Sequence, residues 1–167
     1  DSAQEVCLVP AFVGLGAPYW DSEARGALFG ITLATGAPEI ARATLEGVGY
    51  QTLDLLRAIH ADWPPAADLA VLRVDGGMVA NDWLLQFLAD ILDTPVERPQ
   101  VLEATALGAA YLAGLGSAIC PAPKDYVLRS QGLRRFEPAM DGKTRKRKLE
   151  RWNECVGRVL TEREGGG

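Results

Sequence analysis

Apolar and polar positions alternate in blocks along this chain, and each block predicts a strand or a helix. The aliphatic and β-branched run Leu69–Val74 predicts an internal, buried strand that ends at Asp75. Two glycines, Gly76 and Gly77, predict a tight turn after it. The mostly apolar stretch that follows predicts a helix entered at Asn81. The rest of the chain is arranged around this strand, turn and helix.

Three further runs have the composition of strands. Glu5–Phe12 and Ala27–Leu33 are joined without a helical pattern between them, so we expect them to pair antiparallel. Asp93–Pro99 is short and has proline near either end. Because proline cannot donate a ladder hydrogen bond, we expect this strand at the edge of a sheet.

A long helix is predicted to open near Pro38 and to keep an apolar face to about His60. Gly47 and Gly49 lie inside it, and each costs roughly 1 kcal/mol relative to alanine. We expect another backbone to approach the helix closely at these glycines. A further helix, from Ala106 to about Gly114, consists mainly of small residues that favour tight packing, with Glu103–Thr105 as its cap.

The C-terminal part of the chain predicts one more helix. Asp141 is a candidate N-cap for an amphipathic helix over residues 141–163, and 164–167 are expected to be a flexible tail. The basic cluster Lys143–Arg151 on this helix is typical of a solvated face. We therefore expect one domain over residues 1–163, with no internal repeat.

Composition excludes several classes of protein. Of 167 residues, 48% are hydrophobic and 23% charged, and the formal net charge of −5 argues against a nucleic-acid binder. Three scattered cysteines form neither a metal-spaced pair nor a disulfide framework, which favours a reducing cytoplasm. No apolar run reaches membrane-spanning length. The chain starts at Asp1 without methionine, so we expect it to be a piece of a longer protein.

Most familiar catalytic motifs are missing. His60 is the only histidine, which excludes histidine-based metal clusters, and neither a P-loop nor a serine nucleophile elbow occurs. Gly14 and Gly16 do not form a dinucleotide fingerprint, because Pro18 and Tyr19 stand where a helix should open. No residue of the chain is predicted to be catalytic, and none to bind a metal directly.

Two readings of the two-glycine turn remain open. A strand, a glycine turn and a helix N-terminus let a nucleotide lie against bare backbone, but many such turns need glycine and asparagine only for turn geometry and capping. Asp75 could orient Mg²⁺ or water, although we favour a hydrogen bond to the turn. Asp21 lies in an aromatic loop that we expect to be a surface loop anchored by its aromatic side chains.

Four blocks, in this order and spacing, resemble the C-terminal domain of the FGGY carbohydrate kinases. They are Val9–Asp21, Ala24–Gly26, Leu72–Asn81 and Thr105–Gly114, and within the first, Leu15–Trp20 resembles the glycerol kinase branch in particular. The resemblance implies an α/β fold: an actin-like ATPase, ribonuclease H-like C-terminal lobe, with a mixed sheet flanked by helices and incomplete at its N-terminal side.

The resemblance also implies a function, in which ATP with Mg²⁺ donates its γ-phosphoryl group to glycerol, giving sn-glycerol 3-phosphate. Gly76, Gly77 and Asn81 are then expected to bind the nucleotide, with Gly77 against the adenosine. The family's catalytic base, glycerol contacts and first phosphate loops belong upstream, so we expect this fragment alone to be inactive. We also expect a cytoplasmic homo-oligomer. The alternatives are another FGGY kinase for a pentulose or polyol, or a non-catalytic actin-like interaction domain.

Overall fold

A computed structural model describes residues 6–63, 71–100, 104–122 and 132–161. The first element is a two-stranded antiparallel sheet of β1 (Cys7–Val9) and β2 (Ala27–Phe29). The antiparallel prediction is therefore confirmed, although both strands are shorter than predicted. Between them, backbone hydrogen bonds pair Leu15 with Asp21 and close the aromatic loop.

Helix α1 (Ala37–Asp62) follows, with Glu39 accepting a hydrogen bond from the Gly36 N–H at 2.8 Å at its start. The predicted close approach at Gly47 is confirmed, because a Cβ there would lie 2.8 Å from the Leu8 carbonyl oxygen of β1. At Gly49 the neighbour is instead the side chain of Phe87, 2.7 Å from the position of an added Cβ. Glycine thus lets α1 lie directly on β1 and on the helix that contains Phe87.

The second sheet differs from the prediction in its order. It contains β3 (Leu72–Arg73), β4 (Val96–Pro99) and β5 (Leu133–Phe136) in the order β3–β4–β5, with β3 parallel and β5 antiparallel to β4. The prediction that β4 lies at an edge is wrong, since β5, which was not predicted, pairs with its free side. Within the described residues β3 and β5 are the two edge strands of this sheet. The internal, buried position predicted for the strand before Asp75 is not found, because Leu72 is half-buried and Arg73 is exposed.

The remaining helices are α2 (Asp82–Leu92), α3 (Ala104–Gly116) and α4 (Gly142–Gly157). The predicted cap of α4 is confirmed, because the Asp141 carboxylate accepts a hydrogen bond from the Thr144 N–H at 2.9 Å. The tight packing predicted for the small residues of α3 is not found: from Thr105 to Ala110 every residue is exposed. Helix α4 ends at Gly157 and residues 158–161 are not helical, so the predicted extension of this helix to about residue 163 is not found. Glu103 and the tail 164–167 lie outside the described residues.

Two apolar clusters meet at α2 and hold these elements together. One joins β1, α1 and α4 to the face of α2 that carries Phe87 and Ile91, and the other joins the opposite face of α2 to β4 and β5. Since one helix separates the clusters, its N-terminus is fixed by packing on both sides. No helix in the described part of the chain is long and apolar enough to cross a membrane.

Candidate functional site

The predicted strand, turn and helix are brought together as a continuous unit at the carboxyl end of β3. The strand is held in register with β4, because the Leu72 N–H donates to the Pro95 carbonyl and the Val74 N–H to the Glu97 carbonyl, at 2.9 and 3.0 Å. The chain then turns at Gly76. A short 3₁₀ helix over Gly77–Ala80, which was not predicted, leads from this turn to α2.

The two glycines are needed for different physical reasons. Gly76 has a φ of +92°, a conformation that residues with a side chain rarely adopt, so the direction of the turn requires glycine. Gly77 has no such constraint, and a Cβ built there would meet no atom of the described residues within 4 Å. The packing of the described residues therefore leaves open the space beside Gly77, which a ligand could fill.

Asn81 is the N-cap of α2. Its side-chain oxygen accepts a hydrogen bond from the Leu84 N–H at 3.2 Å, as the sequence predicted. The side chain is exposed, and within the described residues its amide nitrogen donates to no protein acceptor. Asn81 can therefore cap the helix through its oxygen and donate to a ligand through its nitrogen at the same time.

Side chains of α2, β4 and β5 support the turn from one side. The Arg98 guanidinium donates to the Val79 carbonyl at 2.6 Å and lies 2.9 Å from the Asp82 carboxylate. Arg134 lies 2.8 Å from the other carboxylate oxygen of Asp82. A cleft of about 550 Å³ opens beside this cluster, lined by Ala80, Arg98, Pro99, Gln100, Gly132, Leu133 and Arg134. Its volume lies in the range of small-molecule sites.

Sequence reasoning missed these supporting residues. Arg98 follows Val96 on the same face of β4, and Val96 is fully buried in the cluster around α2. A charged residue on a buried strand face needs a partner, and the acidic residue in the first turn of α2 is one candidate. This pairing could have indicated Arg98 from the sequence, but only with the knowledge that β4 packs beneath α2.

The structure assigns the two carboxylates considered in the sequence to different environments. Asp75 is exposed and forms no hydrogen bond with the glycine turn in the described part of the chain, so the favoured turn role is not found. Asp21 is an anchor: its carboxylate accepts bonds from the Ala24 N–H at 3.0 Å and from the Thr161 N–H at 2.7 Å. The bond from Thr161 is the main reason that the pKa of Asp21 is lowered.

A comparison with models of protein families identifies the family of this chain. The model for the C-terminal domain of the FGGY family of carbohydrate kinases matches residues 2–117. The chain belongs to this family. The matched range of the FGGY domain includes β1 to α3, and therefore the whole glycine turn.

Two relatives that match nearly the whole chain have the same name, glycerol kinase. The chain is 59% identical to glycerol kinase of Methylobacterium nodulans over 96% of its length, and 58% identical to glycerol kinase of Bradyrhizobium sp. strain BTAi1 over 99% of its length. It covers 32% and 33% of these proteins, so the chain spans about a third of the length of the relatives it matches.

Solved structures give the same fold. A crystal structure of Plasmodium falciparum glycerol kinase with ADP has a TM-score of 0.77 at 39% identity, covering 96% of this chain and 32% of that one. A gluconate kinase from Lactobacillus acidophilus has a TM-score of 0.71 at 22% identity, covering 96% of this chain and 32% of that chain, which supports the fold alone. The predicted actin-like α/β fold, a mixed sheet flanked by helices, is thereby confirmed.

Proposed function

We propose that this chain is the nucleotide-side lobe of a glycerol kinase, which transfers the ATP γ-phosphoryl group to glycerol. The observation that carries the proposal is the open turn at Gly77 and Asn81 in a chain whose structural neighbour was solved with ADP. Identity of 58–59% to proteins named glycerol kinase favours glycerol over other FGGY substrates. Solved xylulose kinases, in comparison, share 21–27% identity with this chain.

In this proposal the chain's own residues bind and orient the nucleotide. Gly76 sets the direction of the turn, Gly77 leaves room for the adenosine, and the Asn81 amide nitrogen donates a hydrogen bond to the base or ribose. Phosphoryl transfer depends mainly on positioning and on neutralising charge. A lobe that fixes the adenosine contributes positioning, while the base and the glycerol contacts belong to the part of the kinase outside this chain.

Mg²⁺ accompanies the ATP phosphates in this proposal and stabilises the charge that develops on them. Within the described residues no group of three or more His, Cys, Asp and Glu side chains could hold a metal ion. As the family resemblance implies, we assign the Mg²⁺ contacts mainly to residues outside this chain. The domain is proposed to extend to residue 163, supported by the packing of Trp152 and Val156 of α4 against β1 and α1.

We further propose a homo-oligomer in a reducing compartment such as the cytoplasm. Large apolar side chains are exposed on the domain, including Val13 and Leu33, and such surface favours association. The three cysteines are free thiols, as expected in a reducing environment. Sedimentation velocity on the full-length protein that shows only a monomer would contradict the oligomer.

Gly77→Leu in the full-length protein tests the nucleotide site. The leucine side chain would occupy the open space, so we expect loss of ADP binding in isothermal titration calorimetry with little change in thermal stability. Gly157→Leu is the matched control, because a Cβ at Gly157 also meets nothing within 4 Å, at the far end of α4. Unchanged ADP affinity in Gly77→Leu would refute the placement of the adenosine.

The non-catalytic alternative predicts a different result for the full-length protein. A scaffold domain would bind ADP through Gly77 and Asn81 without phosphorylating glycerol, whereas a kinase does both. The isolated chain is the negative control in this assay, because it lacks the groups that perform the transfer. Glycerol phosphorylation by the isolated chain would contradict the assignment of those groups to another segment.

A further inference from the structure

Arg98 contacts the residues on either side of the step from the 3₁₀ helix into α2, where Asn81 lies. It lies on β4, and its side chain is only 14% exposed although it carries a charge. One nitrogen of the guanidinium, Nη1, lies 2.6 Å from the Val79 carbonyl oxygen and 2.9 Å from a carboxylate oxygen of Asp82. Asn81 is located between these two partners in the sequence.

The geometry of these contacts restricts how the turn can move. Val79 belongs to the 3₁₀ helix that begins at Gly77, and Asp82 is the first residue of α2. A single guanidinium, hydrogen-bonded to Val79 and ion-paired with Asp82, holds the end of one helix against the start of the next. The backbone of Asn81, with φ of −83° and ψ of 104°, is the hinge between them.

Burial of the guanidinium strengthens its hydrogen bond to the Val79 carbonyl. Hydrogen bonds from a guanidinium are charge-assisted, shielding from water strengthens them, and Val79 is itself buried. The Phe136 ring, also buried, lies under the guanidinium with 5.8 Å between its centroid and the central carbon. Asp82 is 47% exposed and its second partner Arg134 is 57% exposed, and exposed ion pairs contribute little. The bond from Arg98 to Val79 is therefore the dominant support.

We propose that Arg98 is a positioning residue for nucleotide binding: through Val79 and Asp82 it fixes the positions of Gly77 and Asn81. This inference rests on the proposed nucleotide site. Among the described residues Arg98 forms no hydrogen bond with Gly77 or Asn81, so its effect on the ligand is transmitted through the backbone. Loss of Arg98 leaves the open space at Gly77 in place but lets the turn adopt several arrangements, of which only one binds the adenosine.

The test uses the full-length protein with Arg98→Met, which keeps the length of the side chain and removes its charge and donors. We expect the Kd for ADP and the KM for ATP to rise about tenfold, because small misplacements of binding groups are costly. The KM for glycerol should stay unchanged. Arg98→Lys keeps the charge but loses the planar fork, so it should give a smaller rise, about threefold.

Arg73→Met is the matched control. Arg73 lies on the neighbouring strand β3 and pairs with Glu97 at 3.2 Å, but it is 71% exposed and forms no hydrogen bond or ion pair with residues 77–82. We expect its nucleotide affinity to equal that of the unaltered protein. If both arginine variants weaken ADP binding equally, the effect is a general loss of stability and the inference is overturned.

The remaining outcomes separate this inference from the proposed function. Normal ADP affinity in Arg98→Met, together with weak binding in Gly77→Leu, overturns the role of Arg98 and leaves the nucleotide site intact. Normal affinity in Gly77→Leu instead overturns the site. Should Arg98→Met fail to fold, Arg98→Lys decides, since an unchanged Kd for ADP in that variant overturns the inference.

Discussion

Asp54 places a carboxylate in the interior of the domain, where its removal should have a measurable cost. The residue is 5% exposed and accepts two hydrogen bonds, from the Tyr19 hydroxyl at 2.8 Å and from the Trp152 indole nitrogen at 2.7 Å. Within the described residues no arginine or lysine forms an ion pair with it. One side chain of α1 thus connects the aromatic loop to α4, and Asp54→Ala removes both connections.

The cost follows from the burial of the two donors. Trp152 is fully buried, so its N–H would lose its partner without access to water, which costs about 1–3 kcal/mol. Tyr19 is half-buried and water can reach it, so the loss there is about 0.5–1.5 kcal/mol. Removing the carboxylate also relieves its own desolvation, which offsets part of the loss. We expect a net decrease of about 2–3 kcal/mol in the free energy of unfolding.

Urea denaturation of the chain, followed by circular dichroism and tryptophan fluorescence, measures this difference. Asp62→Ala is the matched control, because it makes the same substitution at an exposed position of the same helix and should change stability by less than about 0.5 kcal/mol. Both donors bond to the same carboxylate oxygen, Oδ2, so the single amide oxygen in Asp54→Asn can accept both bonds, and this variant should lose less stability than Asp54→Ala. A stability of Asp54→Ala within about 0.5 kcal/mol of the unaltered chain would refute the reasoning.

Two other features give predictions of the same kind. Gly47→Ala should destabilise the domain by about 1–2 kcal/mol in urea denaturation. The new Cβ would lie 2.8 Å from the Leu8 carbonyl oxygen, and this overpacking outweighs the gain in helix propensity. A stability equal to that of the control Gly157→Ala would contradict this prediction. Because the pKa of Asp21 is lowered below its ordinary 3.8, chiefly by the Thr161 N–H, its bonds stabilise the fold above that pH and are lost as pH falls through the lower folded value. Asp21→Asn should therefore flatten the acid-induced loss of stability below about pH 4, and identical pH profiles would exclude the effect.

Local signals in the sequence predicted the parts of the fold that depend on local contacts. Asn81 and Asp141 each bond to a backbone N–H three residues further on, so the cap is formed by neighbours in sequence. The open turn at Gly77 is also local, because it needs only two glycines between a strand and a helix. These features can be recognised without knowing how the elements pack.

Features that depend on distant partners were not predictable in this way. Proline near either end of β4 suggested an edge, but Pro95 and Pro99 lack only their own N–H groups. Val96 and Glu97, which lie between them, still pair on both sides. β5 contains two adjacent arginines and has little of the alternation typical of a strand. Its place beside β4 is set by pairing with a segment more than 30 residues earlier.

The same distinction between local and distant contacts applies to the candidate site. Gly76, Gly77 and Asn81 were predicted from the turn and the family resemblance, whereas Arg98 was not, because its partner Val79 is 19 residues away. The small residues of α3 predicted close packing, yet their face is exposed in this chain. A pattern of small residues indicates that a helix can be approached closely, but it does not identify the surface that approaches.

The contact between Asp54 and Trp152 joins residues 98 positions apart, and this separation has a consequence for biosynthesis. α1 leaves the ribosome well before α4, and at 5–20 residues per second the interval lasts about 5–20 s. Throughout it Cys7, Val9 and Tyr50 lack the apolar partners that α4 provides. The nascent chain therefore carries an unfinished apolar surface until α4 emerges, and that is the stage at which it most needs protection from aggregation.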